Sequence, residues 1–348
     1  MNVIHLLSDK AWSGTQRYVL DLAATLRRRE HHVEVFTRGI EAVSAPFAKE
    51  DLWAGRLRLG GWWDVVSRVS LANRLNHLSG RTIVHVYNLK DAAVATAARR
   101  LSRNADHVRV VMTYRSPQAM PPTAEPLLKM LDAVVLEPQS PLHDAVAKAT
   151  KRCYSVYTSV MAPPRQVTPF EAEQPHIIFA RPIRPGKGLD VLVKALVDLT
   201  DLDWRLIVCG VGTGRDAMPL IRYARGLKFN DRIQWLGHQE DVYAQLQKCR
   251  IAVVPDTQPC GTRIAVMEAL SQGLAVVASD AGNESLQPNQ QLITTPAGSV
   301  KALADALRKV IIDSDLRQNI GDSGYRRFIT DFDYMKMVEQ IEAIYDEC

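Results

Sequence analysis

The stretch VIHLLSDKAWSGTQRYVLDLAATLRRREHHVEVFT (residues 3–37) predicts a strand, a loop, a helix and a second strand in succession. Val3–Leu7 is a short apolar run. Arg17–Arg29 places apolar residues at helical spacing, and His32–Thr37 alternates with a period of two. Two strands joined through a helix are typical of a parallel sheet that is covered by helices. The first segment therefore predicts an α/β fold.

The same alternation continues along the chain. Further strands are predicted at Thr82–Tyr87, Val108–Thr113, Ala133–Leu136, Ile177–Ala180, Arg205–Cys209, Ile233–Leu236, Ile251–Val254 and Ala275–Ala278, with helices between them. Residues 161–175 interrupt the pattern with four prolines. We therefore expect two doubly wound domains, 1–160 and 176–330, joined by a linker at 161–175, with a final helix at 331–348.

Composition limits the classes of protein that this chain can be. Of its 348 residues, 47% are hydrophobic and 23% are charged, which is ordinary for a globular protein and excludes global disorder. The five cysteines are widely scattered, and the apolar N-terminus lacks the features of a secretion signal, so a cytoplasmic protein is expected. Residues 1–160 carry 22 Lys and Arg against 14 Asp and Glu, whereas the remainder carries 21 against 24. A basic N-terminal half suits an anionic ligand or an anionic membrane surface, or is simply a solvated basic surface.

Ligands of doubly wound sheets bind beyond the carboxyl ends of the strands, so the loops that follow strands are the candidate sites. Gly14 follows the first strand, and it forms either a plain turn or a loop whose backbone approaches a phosphate or sugar. Arg181 and Lys187 bracket a Pro/Gly loop that ends at a helix start. They are either two cations for a diphosphate or part of a basic surface turn.

Two other loops contain candidate residues. Gly210 and Gly212 form a G-x-G-x-G run that differs from the G-x-G-x-x-G spacing of dinucleotide-binding proteins, so a dehydrogenase is disfavoured. Glu268 lies in an apolar helix, where a carboxylate needs partners. Ribose hydroxyls or a structural arginine would serve.

Taken together, these motifs resemble family 4 of the retaining, GT-B-type glycosyltransferases, from residue 3 to about residue 280. The matching segments are Gly14–Ala23, Arg181, Lys187–Leu192, Gly210–Gly212, Leu236–Gly237, Gly261–Thr262, Met267–Leu270 and Val276–Ser279. The resemblance implies two Rossmann-like domains that face each other across a cleft, with a C-terminal helix that crosses back to the N-terminal domain.

The resemblance also implies residue roles. Arg181, Lys187 and Glu268 would be the catalytic residues, the two cations holding the diphosphate of a nucleotide sugar and Glu268 the ribose. The other donor-binding residues would be Gly14, Gly210, Gly212, Cys260, Gly261, Thr262 and Arg263. No cofactor and no metal are expected, because the two cations and a helix dipole offset the charge of the leaving group.

This sequence departs from the family pattern at two positions. Cys260 stands where the family has the first of two glutamates, and a thiol is a poorer hydrogen-bond acceptor. Asp256 lies four residues earlier and is a candidate substitute, and it is also a candidate contact for the acceptor or a phosphate. Arg115 stands where the family has a histidine; it could bind a phosphate or an acceptor anion but cannot act as a base at neutral pH.

The resulting hypothesis is a metal-independent, retaining hexosyltransferase that moves a sugar from a nucleotide-diphospho-sugar to a glycan or lipid-linked acceptor, as in lipopolysaccharide synthesis. The alternatives are a catalytically weak binding protein of the same fold and a nucleotide-sugar 2-epimerase. No nucleic acid is expected as a partner. The pair Trp62-Trp63 and the basic N-terminal half suggest a peripheral membrane surface, although the two tryptophans could instead pack in the core or line the acceptor site.

Overall fold

The computed structural model describes residues 1–61, 63–114, 121, 124–138, 140–166, 176–212, 217–239, 241–258, 264–280, 286 and 288–348. The chain forms two compact units. Unit 1 comprises Met1–Ser159 and Tyr334–Cys348, and unit 2 comprises Val160–Asp333. Of the expected linker, residues 161–166 belong to unit 2, and residues 167–175 lie outside the described residues.

Unit 1 is built on a parallel sheet that has seven strands among the described residues. They are β1 (Asn2–Leu7), β2 (His32–Thr37), β3 (Trp53–Arg56), β4 (Thr82–Val86), β5 (Val108–Thr113), β6 (Ala133–Leu136) and β7 (Cys153–Ser155). The strand order is β3-β2-β1-β4-β5-β6-β7. The helices that connect them are α1 (Gly14–Arg28), α2 (Glu41–Lys49), α3 (Val65–Asn76), α4 (Leu89–Leu101), α5 (Glu125–Leu128) and α6 (His143–Ala149).

Unit 2 repeats this design with six described parallel strands. They are β8 (His176–Ala180), β9 (Arg205–Cys209), β10 (Ile233–Gly237), β11 (Ile251–Val254), β12 (Ala275–Ser279) and β13 (Ile293–Thr295), in the order β10-β9-β8-β11-β12-β13. Its helices are α7 (Leu189–Val197), α8 (Ala217–Arg225), α9 (Tyr243–Leu246), α10 (Ile264–Ser271), α11 (Val300–Ile312) and α12 (Ser314–Asp331).

Both sheets are buried on their two faces. Every residue of β4, β6, β11 and β12 is buried, which explains why these strands appear in the sequence as continuous apolar runs rather than alternating ones. In unit 2, the apolar residues of α7 and α11 pack with those of β8, β9 and β11 in one core. The predicted α/β class with two doubly wound parallel sheets is confirmed.

The last helix, α13 (Tyr334–Glu347), belongs to unit 1. The Tyr334 hydroxyl lies 2.9 Å from Thr25 Oγ1 on α1, and the fully buried Tyr345 hydroxyl lies 2.6 Å from His85 Nδ1 on β4. The Arg109 guanidinium donates to the Cys348 carbonyl at 2.8 Å, close to the negative end of the helix dipole. The predicted return of the C-terminal helix to the N-terminal domain therefore agrees with these contacts.

The sequence analysis missed several elements. Three are short strands at or near sheet edges (β3, β7 and β13), and three are helices (α2, α5 and α12). The three missed strands are too short to show a period, and they lack the continuous apolar run that identified β6 and β11. In α12, Gly321 and Gly324 weaken the helical pattern, but they allow close packing. A Cβ at Gly321 would lie 2.3 Å from the Gly273 carbonyl oxygen, and one at Gly324 would lie 2.5 Å from Leu270 Cδ2.

Candidate functional site

In unit 2 the order of the strands reverses between β8 and β11. The chain leaves β8 for β9 on one side and leaves β11 for β12 on the other, and ligands of such sheets bind at this switch point. Arg181 directly follows β8, and Asp256 follows β11 by two residues. The topology therefore brings a cation and a carboxylate from distant parts of the sequence to the same edge of the sheet.

Arg181, Lys187 and Asp256 form one buried ionic cluster. Arg181 Nη2 lies 3.0 Å and Lys187 Nζ lies 3.3 Å from the same oxygen, Asp256 Oδ1. The exposed fractions of the three side chains are 6%, 13% and 4%. Arg181 and Lys187 were predicted as a pair, whereas Asp256 was considered as a substitute for the donor-sugar glutamate or as an acceptor or phosphate contact. The structure places its carboxylate between the cations.

Glycines bring the loops of this cluster together. Gly188, at φ +75°, packs so tightly that a Cβ there would lie 1.7 Å from the Pro255 carbonyl oxygen. A Cβ at Gly210 would lie 2.0 Å from the Arg181 carbonyl oxygen, and one at Gly212 would lie 2.7 Å from that of Ile183. The absence of side chains at Gly210 and Gly212 thus lets the loop that contains Arg181 pack closely, and their predicted contact with the donor stays a prediction.

Hydrogen bonds between the loops reinforce this packing. Thr257 N donates to Gly186 O at 3.1 Å, which joins the loop after β11 to the loop after β8. Ile183 N donates to Val211 O at 3.0 Å, which joins the loop after β8 to the loop after β9. Three strand-end loops thus support one ionic cluster.

Glu268 lies in the middle of α10 and is 9% exposed. Its neighbours Met267, Ala269 and Leu270 are buried, as the apolar sequence predicts. The start of this segment, with Cys260, Gly261, Thr262 and Arg263, lies outside the described residues. The predicted contact of Glu268 with ribose stays a prediction.

In unit 1 the corresponding switch point lies between β1 and β4. Gly14 is the first residue of α1, and Ser13 before it is extended. Ser13 Oγ donates to Gln16 Oε1 at 2.6 Å, and Gln16 Nε2 donates to Asp9 Oδ2 at 2.6 Å. These bonds fix the loop between β1 and α1. The other unit 1 candidate, Arg115, lies outside the described residues.

A buried carboxyl at this switch point was missed by sequence reasoning. Asp91 Oδ2 accepts hydrogen bonds from Ser8 N at 3.1 Å and Asn88 Nδ2 at 2.8 Å, and Asn88 caps α4 through Asp91 N. Burial raises the pKa of Asp91 to about 7. The signal in the sequence was the pair Asn88 and Asp91, spaced as an N-cap and a third helical residue directly after a strand.

Three Asp-x-Asp triplets, at 201–203, 313–315 and 331–333, invite the question of a metal site. Asp201 binds Arg308 at 2.6 Å, Asp313 Oδ1 accepts from Leu316 N at 2.8 Å, and Asp331 pairs with Arg327. Within the described ranges, no group of three His, Cys, Asp or Glu side chains is placed to hold a metal ion. Asp201, Asp313 and Asp331 therefore take part in ion pairs or helix capping.

No helix within the described ranges is both long and apolar enough to cross a membrane.

Comparison with known proteins identifies the family to which the chain belongs. A family model described as "Glycosyl transferase 4-like domain" matches residues 13–180, and one described as "Glycosyl transferases group 1" matches residues 163–327. A lipopolysaccharide core biosynthesis mannosyltransferase of Rhizobium leguminosarum, LpcC, is 28% identical over 47% of this chain and 48% of its own length. The chain spans about half the length, or slightly less, of the curated relatives that it matches.

Solved structures show the same fold. A glycosyltransferase from Rickettsia africae is 17% identical with a TM-score of 0.80, over 99% of this chain and 98% of its own. Anabaena Alr3699/HepE, solved in complex with UDP-glucose, is 17% identical with a TM-score of 0.79 over 100% of both chains. The GT-B fold expected from the resemblance is confirmed. The two family models together span residues 13–327, so the chain belongs to the family 4-type glycosyltransferases, with a glycosyl transferase 4-like domain followed by a group 1 domain.

Proposed function

We propose that this protein is a retaining glycosyltransferase that moves a sugar from a nucleotide-diphospho-sugar to a glycan or lipid-linked acceptor in cell-surface polysaccharide or lipopolysaccharide synthesis. The observation that supports this most strongly is the ionic cluster at the switch point of unit 2, where Arg181 and Lys187 share one oxygen of Asp256. It lies where doubly wound sheets bind nucleotides.

The charges of the cluster suit a diphosphate. Arg181 and Lys187 are both largely shielded from water, and both reach the same carboxylate oxygen, so the two cations are held close together. Cationic side chains form short, strong hydrogen bonds with phosphate oxygens. As the bond between the sugar and the diphosphate breaks, negative charge grows on the leaving phosphate. Cations already held in place stabilise that charge without reorganisation.

The donor and acceptor classes rest on the relatives. The Anabaena protein was solved with UDP-glucose, and the Rhizobium relative is named as a lipopolysaccharide core mannosyltransferase. UDP-glucose and nucleotide-diphospho-mannoses are therefore the donors to test first. In the proposed reaction the acceptor hydroxyl attacks the donor sugar on the face that the diphosphate leaves, so the anomeric configuration is retained.

The test measures binding and turnover of nucleotide sugars in matched variants. R181A and K187A each remove a hydrogen bond to a charged group, so each should weaken nucleotide binding by about 1.5–3 kcal/mol. R184A, in the same loop but exposed, and K194A, exposed on α7, are the controls and should bind normally. E268Q should weaken binding and turnover while the melting temperature holds, if the carboxylate contacts ribose.

Each other outcome has a definite meaning. Normal nucleotide affinity in both R181A and K187A would contradict the role of the cluster. Binding without transfer or hydrolysis would indicate a binding protein, and conversion of one nucleotide sugar into its 2-epimer would indicate an epimerase. A transferred sugar of inverted configuration would disprove the retaining mechanism.

A further inference from the structure

Unit 1 exposes a group of large apolar side chains that lie close together in sequence. We call them the Trp63 face, and their exposed fractions are 94% for Trp63, 61% for Val65, 58% for Val66 and 45% for Val69. Of the predicted tryptophan pair, Trp63 is thus exposed rather than in the core, and Trp62 lies outside the described residues. Contiguous exposed apolar side chains mark interaction surfaces.

The valines lie on one side of α3. At 100° per residue, Val65, Val69 and Val66 fall within an arc of about 100°. The opposite side of the helix is buried through Ser67, Leu71 and Leu75. The solvent side of a surface helix is normally polar, so three exposed β-branched residues there are unusual.

The loop that presents Trp63 is firmly held. Asp64 caps α3 by accepting from Ser67 N at 3.0 Å, and its other oxygen accepts from Gly60 N at 2.8 Å. Leu59 N donates to Ser67 Oγ at 3.0 Å, and the Leu59 side chain is fully buried. Trp63 is therefore exposed on a loop whose conformation is fixed by hydrogen bonds.

Exposed cations lie near Trp63 in sequence or in space. Arg56, Arg58 and Lys90 are exposed, and Lys90 lies beside Gly61, where a Cβ would be 3.6 Å from Lys90 Cγ. Asp64 is the one acidic residue in the sequence between Trp53 and Ser70. Burial acts to raise the pKa of Asp64, but hydrogen bonds from Ser67 and Gly60 outweigh it and lower the pKa, so this carboxylate is engaged inside the loop.

We propose that the Trp63 face docks unit 1 on the surface of an anionic phospholipid bilayer, with Trp63 and the valines at the interface and the three cations over the headgroups. Tryptophan rings favour the boundary between headgroups and water, and Lys and Arg are attracted to anionic lipids. A second copy of this chain is a poorer occupant. In a two-fold contact each copy would present these same cations to the other, and like charges repel.

The experiment is flotation of the whole protein, without donor, on phosphatidylcholine vesicles with and without phosphatidylglycerol. The protein should bind the anionic vesicles at low salt and leave them at high salt, because salt screens the attraction. W63S should weaken vesicle binding about tenfold, because it lacks the indole ring that moves from water into the interface in the wild type. R58Q/K90Q should weaken binding to anionic vesicles and reduce its salt dependence.

Matched variants in unit 2 control for lost apolar surface and lost charge. I312S removes an apolar side chain that is 64% exposed, and K194Q/K301Q removes two exposed lysines; both should bind vesicles as the wild type does. Absence of binding to anionic vesicles at low salt would overturn the proposal, as would unchanged binding by W63S. A W63S protein that loses a dimer in light scattering while vesicle binding persists would assign the face to a second copy.

Discussion

Asp91 and His5 are two buried ionisable side chains of unit 1 in which burial favours the uncharged form. Burial lowers the pKa of His5 to about 3, and burial raises the pKa of Asp91 to about 7. The neutral His5 stabilises the fold above pH 6.5, and this contribution is lost as pH falls toward about 3. The protonated Asp91 stabilises the fold below pH 3.8, and this contribution is lost as pH rises through about 7.

The two effects oppose each other, and D91N separates them. His5 is the same in both proteins, so the difference between wild type and D91N isolates Asp91. Relative to D91N, the wild type should lose on the order of 3 kcal/mol of stability between about pH 4 and pH 7. Urea titrations at several pH values measure this difference, and parallel stability curves would disprove the raised pKa.

At the candidate site, contacts within one loop were predictable from the sequence, whereas a contact between two strand ends was not. Arg181 and Lys187 were identified because both lie in one loop, so their proximity is local. Asp256 lies beside Arg181 because β11 pairs with β8 in the sheet, and the residues around Asp256 in sequence do not reveal that pairing. What the sequence did show was an acidic residue shortly after an apolar strand.

At the scale of elements, the loop between β8 and α7 depends on Gly188. G188A would place a Cβ 1.7 Å from the Pro255 carbonyl oxygen and would also strain a left-handed backbone. Overpacking should therefore lower the free energy of unfolding by about 1–3 kcal/mol, in addition to the cost of the left-handed backbone. G188A should also weaken nucleotide binding, because it displaces Lys187 from Asp256.

Gly298 offers a matched control for G188A. It has φ +77° and no atom within 4 Å of an added Cβ, so G298A carries only the backbone cost of about 1–2 kcal/mol. Thermal denaturation and a nucleotide titration of both variants provide the comparison. Equal losses of stability and unchanged nucleotide affinity would show that the close approach to Pro255 is unimportant.

Elements were predictable where the sequence shows a clear period or an unbroken apolar run. β2 and β5 were predicted at their observed bounds because each shows a six-residue apolar pattern. α12 was missed because its sequence is largely polar and contains two glycines, which local rules associate with breaks. Those glycines are favourable only once Leu270 and Gly273 lie against them, and the sequence of α12 does not reveal that contact.

At the scale of the whole molecule, unit 1 depends on a helix from the far end of the chain. Met337, Val338, Ile341, Ile344 and Tyr345 of α13 are each at most 4% exposed. Removing one such side chain typically costs about 2–5 kcal/mol, so losing all five exceeds the stability of a typical domain. A chain that ends at Asp333 should therefore lose the fold of unit 1 and keep that of unit 2.

Hydrogen exchange with mass spectrometry tests this expectation. Peptides from β4 and β5 should exchange rapidly in the shortened chain, whereas peptides from β8 and β11 should stay as protected as in the full chain. M335S, which alters an α13 side chain that is 42% exposed, should leave both sets protected. Protected β4 and β5 in the shortened chain would show that unit 1 folds without α13.

The return of α13 also sets an order of events at the ribosome. His85 and Tyr345 are hydrogen-bonded across 260 residues of sequence. At synthesis rates of about 5–20 residues per second, Tyr345 is made on the order of 10–50 s after His85. Unit 2, a continuous segment, is complete before α13 is made, so it can finish folding while the apolar surface that α13 will cover is still open. Unit 1, although begun first, is therefore completed after unit 2, and a nascent chain that stalls after unit 2 is one that chaperones must protect.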